Sequence, residues 1–532
     1  MNALTIPALL AARRADTPSG RAVLVADDRR LTYGELDAQS RRLAGRFLAS
    51  GVAFGTRVAI LLPNDPDFMA TWIALTRIGA VAVPISTLSS PTELRRILRH
   101  ANVSLLVSVP AHRNHAFADR IADACGGLTT KRPPFRLATL PHLRAIWMWG
   151  ADAPAWAVAL PQDIGDVGDI GDDVFEAIEA DVSPGDVASI IYTSGSTAEP
   201  KGIIHTHGSL LRGAAKCRDG YEIRTEDSMF TQMPFFWVGG LTVNLLAVMS
   251  AGATQLTTAS TDAAEVLTFL ERERASNVMA WPHLARAIAA DPTFADRDLS
   301  SVRVGSLWEA WPADRRPPDP TLIGSALGMT ETAGPHTVAD MRPLPEYRRG
   351  SFGPAQPGMS HRVLDPATGQ PTIEGEVGEL LVRGDTLMLG MVRRERADTF
   401  EPDGWYRTGD LVSRRDDHIH FHGRLDDLIK SAGANVSPRE VEDVLLRIPG
   451  VISATVSGLN DSTRGQVVGA VIVTDADLEP DEIRAAARQQ LSPYKVPRVI
   501  VILTPTDVPM MSSGKVNRLA LIGLLRDAAE LH

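Results

Sequence analysis

Apolar runs of strand length alternate with helical ones near the start of the chain, and this alternation narrows the choice of fold sharply. "RVAILLPN" (Arg57 to Asn64) reads as a buried strand, "DFMATWIALTRIGA" as the helix after it, and "VAVPIS" (Val81 to Ser86) as the next strand. Strands alternating with helices predict parallel α/β layers. Just upstream, "LTYGELDAQSRRLAGRFLAS" places Thr32 three residues before Glu35, the spacing of a capping box. Leu36, Leu43 and Phe47 then recur at helical spacing.

The 532 residues exceed what one hydrophobic core organises, so at least two domains are expected. "QDIGDVGDIGDD" (Gln162 to Asp173) has neither EF-hand nor nonapeptide spacing and reads as a solvated linker. "ADRRPPDPT" (Ala313 to Thr321) reads as a rigid, exposed connection. The domain boundary is placed at "HIHFHGRLDDLIK" (His418 to Lys430), where His418, His420 and His422 alternate with Ile419 and Phe421 on a strand. Alternate histidines share a strand face, but no third-ligand partner is evident, so solvated edge histidines are preferred to a metal site. A helix (Pro438 to Arg447), strands near Val451–Ser457 and Gln466–Thr474, a helix near Asp481–Leu491 and a strand at Val499–Leu503 follow. That order predicts a small, separate α+β domain.

A composition of 44% hydrophobic and 22% charged residues suits a globular protein, and a net charge of −10 gives no support for a nucleic-acid partner. Cys125 and Cys217 make no disulfide framework and fit a reducing cytoplasm. The first apolar run precedes Arg13 and Arg14, the reverse of a secretory signal. "LTVNLLAVMSAGA" (Leu241 to Ala253) is too short to span a bilayer and contains Asn244 and Gly252. No integral membrane association is expected.

"YTSGSTAEPKGIIHTHGS" (Tyr192 to Ser209) follows the apolar strand "VASIIY". Consecutive small residues let backbone N–H groups converge on an anion, and Thr193, Ser194, Ser196 and Thr197 add hydroxyl donors around Gly195. Lys201 supplies a mobile positive charge after the stiffening Pro200. The common P-loop has Gly-Lys followed by Ser or Thr; here Lys201 precedes Gly202 and Ile203, so that reading fails. A plain Ser/Gly surface loop is the bland alternative.

Four further motifs decide between them: "LGMTET" (Leu327 to Thr332), "GWYRTGDL" (Gly404 to Leu411), "GRLDDLIKSAGANVSPREVE" (Gly423 to Glu442) and "SSGKVNRLAL" (Ser512 to Leu521). In that order and spacing the chain resembles the adenylate-forming superfamily of acyl- and aryl-CoA ligases, luciferases and peptide-synthetase adenylation domains. The likeness runs from about Leu31 to Leu521. It implies a large multi-layer N-terminal α/β domain with parallel-rich sheets (1–424) and a small hinged α+β C-terminal domain (425–532). It also implies ATP, Mg²⁺ and CoA as the molecules used, with a small carboxylic acid as substrate.

By the same resemblance, Thr193, Ser194, Gly195, Ser196, Thr197 and Lys201 wrap the β- and γ-phosphates; Ala198 stands where the family most often has glycine. Thr330 contacts the α-phosphate and Glu331 holds Mg²⁺, a hard cation suited to a carboxylate. Asp410 matches the ribose-binding aspartate, able to accept from both hydroxyls, and Arg424 an arginine reaching the nucleotide. Asp426 matches the hinge. Lys515 matches the catalytic lysine that offsets repulsion between carboxylate and α-phosphate; Pro509, Met510 and Met511 replace the usual Pro-Arg-Thr-like stretch before it. Lys430 matches a residue near the acyl-adenylate, and Ala432 with Gly433 the pantetheine-lining strand, which enters once the small domain has turned and Lys515 has left.

"MPFFWVGGL" (Met233 to Leu241) matches the stretch lining the acid pocket. Trp237 stands where amino-acid-activating members have aspartate, which disfavours an amino acid. Gly239 and Gly240 are expected to leave room for an acyl chain or ring. The adenine-stacking aromatic is replaced by Leu327, with Trp308 or Trp311 as compensating candidates. A stand-alone acid:CoA ligase of fatty or aryl acids in the cytoplasm is the leading reading, since no carrier domain follows Leu521. Transfer to a separate carrier protein or an amine comes second, and a catalytically silent nucleotide- or acyl-binding protein third.

Overall fold

The computed structural model describes residues 5–113, 115–128, 131–161, 171–193, 200–317, 319, 322–338, 343–431, 434–461, 465–510 and 516–530. The chain divides into two compact units, Met1–Ser360 with Arg383–Gly404 and His361–Val382 with Trp405–His532. Most of the linker segment read at Gln162 to Asp173 lies outside the described residues; its last two aspartates open the helix Asp172–Ala180.

In the first unit the strands Gly390–Met391, Lys201–Thr206, Val187–Thr193, Val81–Pro84, Arg57–Leu61, Leu105–Ser108, Ala145–Trp149 and Val158–Leu160 lie side by side in that order. From Val187–Thr193 onward neighbours run parallel; at the other end Lys201–Thr206 is antiparallel to both its partners. A second sheet orders Val304–Gly305, Asn277–Met279, Ser228–Thr231, Thr254–Thr257, Ala22–Ala26 and Arg29–Thr32. The predicted strand–helix–strand unit is present: Arg57 pairs in parallel with Val81, and helix Pro66–Arg77 connects the two strands.

Every residue of that helix is buried, with its charged ends compensated: Asp67 pairs with Arg29, and Arg77 with Asp37 and Glu179. Asp65 starts it by accepting the Phe68 N–H at 2.9 Å. Trp72, wholly buried, donates its indole N–H to Ser189 Oγ at 2.9 Å, so the polar atom of a core ring is satisfied on the strand leading to Thr193. The capping box opens helix Tyr33–Ala49 as read from the sequence: Thr32 Oγ1 accepts the Glu35 N–H at 3.1 Å, and the Glu35 carboxylate accepts the Thr32 N–H at 2.8 Å. "LTVNLLAVMSAGA" is a buried helical segment, π-helical over Gly239–Leu246 and α-helical over Ala247–Ala251. No described helix is long and apolar enough to cross a membrane.

The first helix, Ile6–Asp16, is fastened by His207, whose Nδ1 accepts the Ile6 N–H at 3.2 Å. Burial pushes this imidazole down to about 4, against a small opposing pull from Asp186. A histidine is protonated more readily in the unfolded chain than here, so its contribution is full above about 6.5 and fades as pH falls towards 4. The span from 6.5 to about 4 is worth on the order of 3 kcal/mol. His207→Asn, which keeps an acceptor near the Ile6 N–H, is expected to flatten the fall of the unfolding midpoint across that window. Identical pH profiles for parent and variant, measured by thermal melts, would contradict this account.

The second unit contains the antiparallel pair Tyr406–Arg415 and His418–Arg424, with Arg415 opposite His418. His422 Nε2 lies 2.8 Å from Ser413 Oγ and His418 Nδ1 donates to the Asp416 carbonyl at 2.8 Å. Beyond them a C-terminal sheet orders Ala434–Val436, Ile429–Ser431, Gly465–Thr474 and Val451–Asp461, with Val499–Leu503 parallel to Gly465–Thr474. Helices Pro438–Leu445 and Pro480–Arg488 bury Val441, Leu445, Ile483 and Ala487 in one core with Val468 and Ile472. The elements read after Lys430 are all present. A further helix, Arg518–Glu530, packs Leu521 and Leu525 against Val467 and Val471.

Candidate active site

Thr193 and Lys201 are cross-strand partners at the open end of the antiparallel pair Val187–Thr193 and Lys201–Thr206. Ser194, Gly195, Ser196 and Thr197, read as the phosphate-wrapping residues between them, lie outside the described residues. The base of this hairpin is tightly packed. A Cβ at Gly202 would come within 2.9 Å of Tyr192 Cζ, and the Tyr192 hydroxyl meets His100 Nδ1 at 2.8 Å.

Thr330 and Glu331 occupy the turn of a second hairpin, Gly328–Met329 paired with Gly334–Pro335. Gly328 allows that pairing, since a Cβ there would stand 2.6 Å from Pro335 Cα. Ala333, fully buried, takes a left-handed φ of 54° to close the turn, a backbone state that costs a non-glycine residue about 1 kcal/mol or more. Its carbonyl is accommodated by Gly213 of helix His207–Gly220, where a Cβ would approach within 2.8 Å.

Two connections join this turn to the first hairpin. Met388 donates its N–H to the Glu331 carbonyl at 2.7 Å, while the next residues, Leu389 and Val392, donate to the Ile204 and Gly202 carbonyls at 2.9 Å each. His205 supplies the second, with Nε2 2.7 Å from the Thr330 carbonyl and Nδ1 3.2 Å from Ser209 Oγ. The carbonyl can only accept, so Nε2 carries the proton and Nδ1 accepts from Ser209. Burial pushes His205 down to about 4, outweighing the opposite effect of that carbonyl. The ring is a neutral spacer. Sequence reading passed over His205 and the 388–392 segment; a histidine directly after the apolar pair Ile203 and Ile204 in "KGIIHTH" was the available signal.

Asp410 and Arg424 belong to the second unit and are register partners across its strand pair, with Arg424 Nη1 2.5 Å from Asp410 Oδ1. The aspartate is buried and the arginine exposed, so the cation orients a carboxylate that opens little to solvent. Gly409, at φ 72°, lies within strand Tyr406–Arg415, where its pairing with Gly378–Gly384 shifts register just before the aspartate. The backbone of Asp426 lies in the short turn Leu425–Asp427 and that of Lys430 in strand Ile429–Ser431. Ala432, Gly433 and Lys515 lie outside the described residues; next to Lys515, Met510 and Val516 form an antiparallel bridge.

Trp237 is half-buried, edge-on to Phe236 with ring centroids 5.2 Å apart. Asn64 organises this stretch, donating to the Met233 carbonyl at 2.9 Å and accepting the Phe235 N–H at 2.8 Å. Gly240 corrects the expectation of open room: a Cβ there would lie 2.1 Å from the Pro234 carbonyl oxygen, so its missing side chain admits the chain's own backbone. At Gly239 the nearest neighbour is the pliable Met233 Sδ, 3.3 Å from such a Cβ. Trp311 is committed to the core beside Val304 and Leu307 at 2% exposure. Trp308 is half-buried at the edge of the same cluster and is the remaining candidate to face a purine.

The AMP-binding enzyme profile matches residues 11–392, and the AMP-binding enzyme C-terminal domain profile matches residues 440–515. The chain belongs to the AMP-binding enzyme family. Among curated relatives of this AMP-binding enzyme, the feruloyl-CoA synthase of Amycolatopsis sp is 32% identical over 497 residues, covering 91% of this chain and 92% of that protein. The indoleacetate–CoA ligase of Aromatoleum aromaticum is 29% identical over 521 residues, covering 95% of each. Among solved structures, the anthranilate CoA ligase AuaEII in complex with anthranoyl-AMP superposes with a TM-score of 0.78 at 24% identity, covering 98% of each chain. The amide bond synthetase McbA from Marinactinospora thermotolerans gives 0.79 at 24% identity, covering 97% of this chain and 99% of that one. These two likenesses establish the fold of this AMP-binding enzyme as that of adenylate-forming enzymes, mixed α/β with a large N-terminal and a small C-terminal domain.

Proposed function

We propose that this AMP-binding enzyme is an ATP-dependent acid:CoA ligase, forming an acyl-adenylate and pyrophosphate, then an acyl-CoA thioester and AMP. One observation carries the reading: the root of the Thr193–Lys201 hairpin and the Thr330–Glu331 turn are hydrogen-bonded into a single framework. Phosphate donors and a metal-binding carboxylate then keep a fixed spacing, as displacement at phosphorus requires.

In this reading Thr193 to Thr197 and Lys201 hold the terminal phosphates and Thr330 the α-phosphate. Glu331 fits Mg²⁺, because a half-buried carboxylate at a turn supplies one hard oxygen and leaves the remaining positions to phosphate and water. The metal, when bound, neutralises charge on the departing pyrophosphate. Asp410, oriented by Arg424, takes the ribose hydroxyls. Lys515 touches the attacking carboxylate and the α-phosphate. Residues 425–532 then turn about Asp426, which falls between the two sheets of the second unit, bringing Lys430 to the acyl-adenylate and Ala432 with Gly433 to the thiol.

Trp237 and Gly239 border an acid without an α-ammonium group. The names of the feruloyl and indoleacetate relatives support an aromatic acid. Both cysteines are free and buried, and the absence of a disulfide between them supports a cytoplasmic setting. Incubation with ATP, Mg²⁺ and a panel of aromatic and fatty acids is expected to release pyrophosphate only with certain acids, and thioester only when CoA is added. Pyrophosphate without thioester would instead indicate a carrier protein or amine acceptor. No turnover with any acid would indicate a binding protein.

A further inference from the structure

We propose that His205 is a positioning residue for the adenylation step, a neutral strut setting the distance between the phosphate hairpin and the Thr330–Glu331 turn. The inference rests on the ligase reading above. His205 sits on strand Lys201–Thr206, four residues after the phosphate-loop lysine, and reaches Thr330 across 125 positions of sequence.

The residue is a costly choice for a purely structural role. It is wholly buried on the innermost part of a strand whose neighbour Ile203 is also wholly buried, so leucine or valine would fill such a site without desolvating two ring nitrogens. Both nitrogens are engaged, one on the Thr330 carbonyl and the other on Ser209 Oγ. The planar ring holds its two partners at a set separation. Ser209 is in turn held by the capping box of helix His207–Gly220, its hydroxyl accepting the Thr206 N–H at 3.1 Å. The strut therefore ends on a helix terminus at one side and on the main chain of an α-phosphate ligand at the other. Met388 fixes the neighbouring carbonyl of Glu331 by a separate route, so loss of His205 loosens the turn without detaching it.

The test uses the full-length protein and an acid that it accepts, with pyrophosphate release measured against MgATP concentration. His205→Leu is expected to raise the KM for MgATP and lower kcat of adenylation, together costing about a hundredfold in kcat/KM, the penalty typical of a misplaced transition-state contact. KM for the acid should stay within about twofold, as should thioester formation from supplied acyl-adenylate and CoA. His205→Gln, whose amide donates at the Nε2 position, should recover most of the loss. If His205→Leu proves insoluble, Ser209→Ala, which frees the ring to rotate, should show the same pattern at smaller size. Wild-type MgATP kinetics in His205→Leu, equal loss in both half-reactions, or a glutamine variant as poor as leucine would overturn the proposal. Absence of pyrophosphate release by the parent protein with every acid would instead overturn the ligase reading on which it rests.

Discussion

Lys515→Ala is expected to slow acyl-adenylate formation by about a hundredfold to a thousandfold, the loss that follows removal of one preorganised charge from a transition state. Adenylation joins two anions, a carboxylate and a phosphate ester, so a cation touching both acts most strongly where their charges merge. The same variant should form thioester from supplied acyl-adenylate and CoA at a rate close to the parent's. In that second step the carboxylate is already part of a mixed anhydride with AMP. The thiol attacks its carbonyl carbon, the bond from that carbon to the phosphate oxygen breaks and AMP leaves, so no free carboxylate needs shielding from the phosphate. Parallel assays of pyrophosphate release and of thioester formation separate the two. A loss of similar size in both would mean that one arrangement of the chain serves both steps, and that rotation about Asp426 is wrong. Lys515→Arg adds a check: charge is kept but the planar guanidinium cannot take the place of a compact ammonium, so only partial activity should return.

Local features of this fold were legible because they depend on residues near one another. Thr32 and Glu35 sit three apart and form the capping box that their spacing predicts. The apolar runs at Arg57–Leu61 and Val81–Pro84 became parallel strands, as runs bounded by turn residues on either side of a helix should. The C-terminal helix Arg518–Glu530 was also readable, since Leu521 and Leu525 recur at helical spacing; the motif around Lys515 drew the reading to chemistry instead of periodicity. Contacts between distant segments were not legible. Nothing in "KGIIHTH" indicates that its first histidine meets a carbonyl more than a hundred residues away. Asp410 and Arg424 were each read as nucleotide ligands, and their pairing emerges only when the strand register puts them opposite. Gly240 shows the limit plainly: a sequence reports that a side chain is missing, and only the fold reports that Pro234 fills the space.

Glu331→Gln isolates charge from shape. The amide has nearly the volume of the carboxylate, and the main-chain carbonyl of residue 331 that holds Met388 is untouched. The melting temperature is therefore expected to change little, since the substitution removes no packing volume. Adenylation should fall by about a hundredfold at saturating ATP, because a neutral oxygen is a far weaker ligand for a hard divalent cation. The Mg²⁺ concentration giving half-maximal pyrophosphate release should rise together with that loss, and added Mn²⁺, which binds oxygen and nitrogen ligands more tightly, should recover part of it. Thioester formation from supplied acyl-adenylate needs no pyrophosphate to leave and should change little. These readouts discriminate between two roles for the residue. A carboxylate that only orders the turn would give a Mg²⁺ dependence identical to the parent's and a lower melting temperature, whereas one that grips the metal moves the first and spares the second.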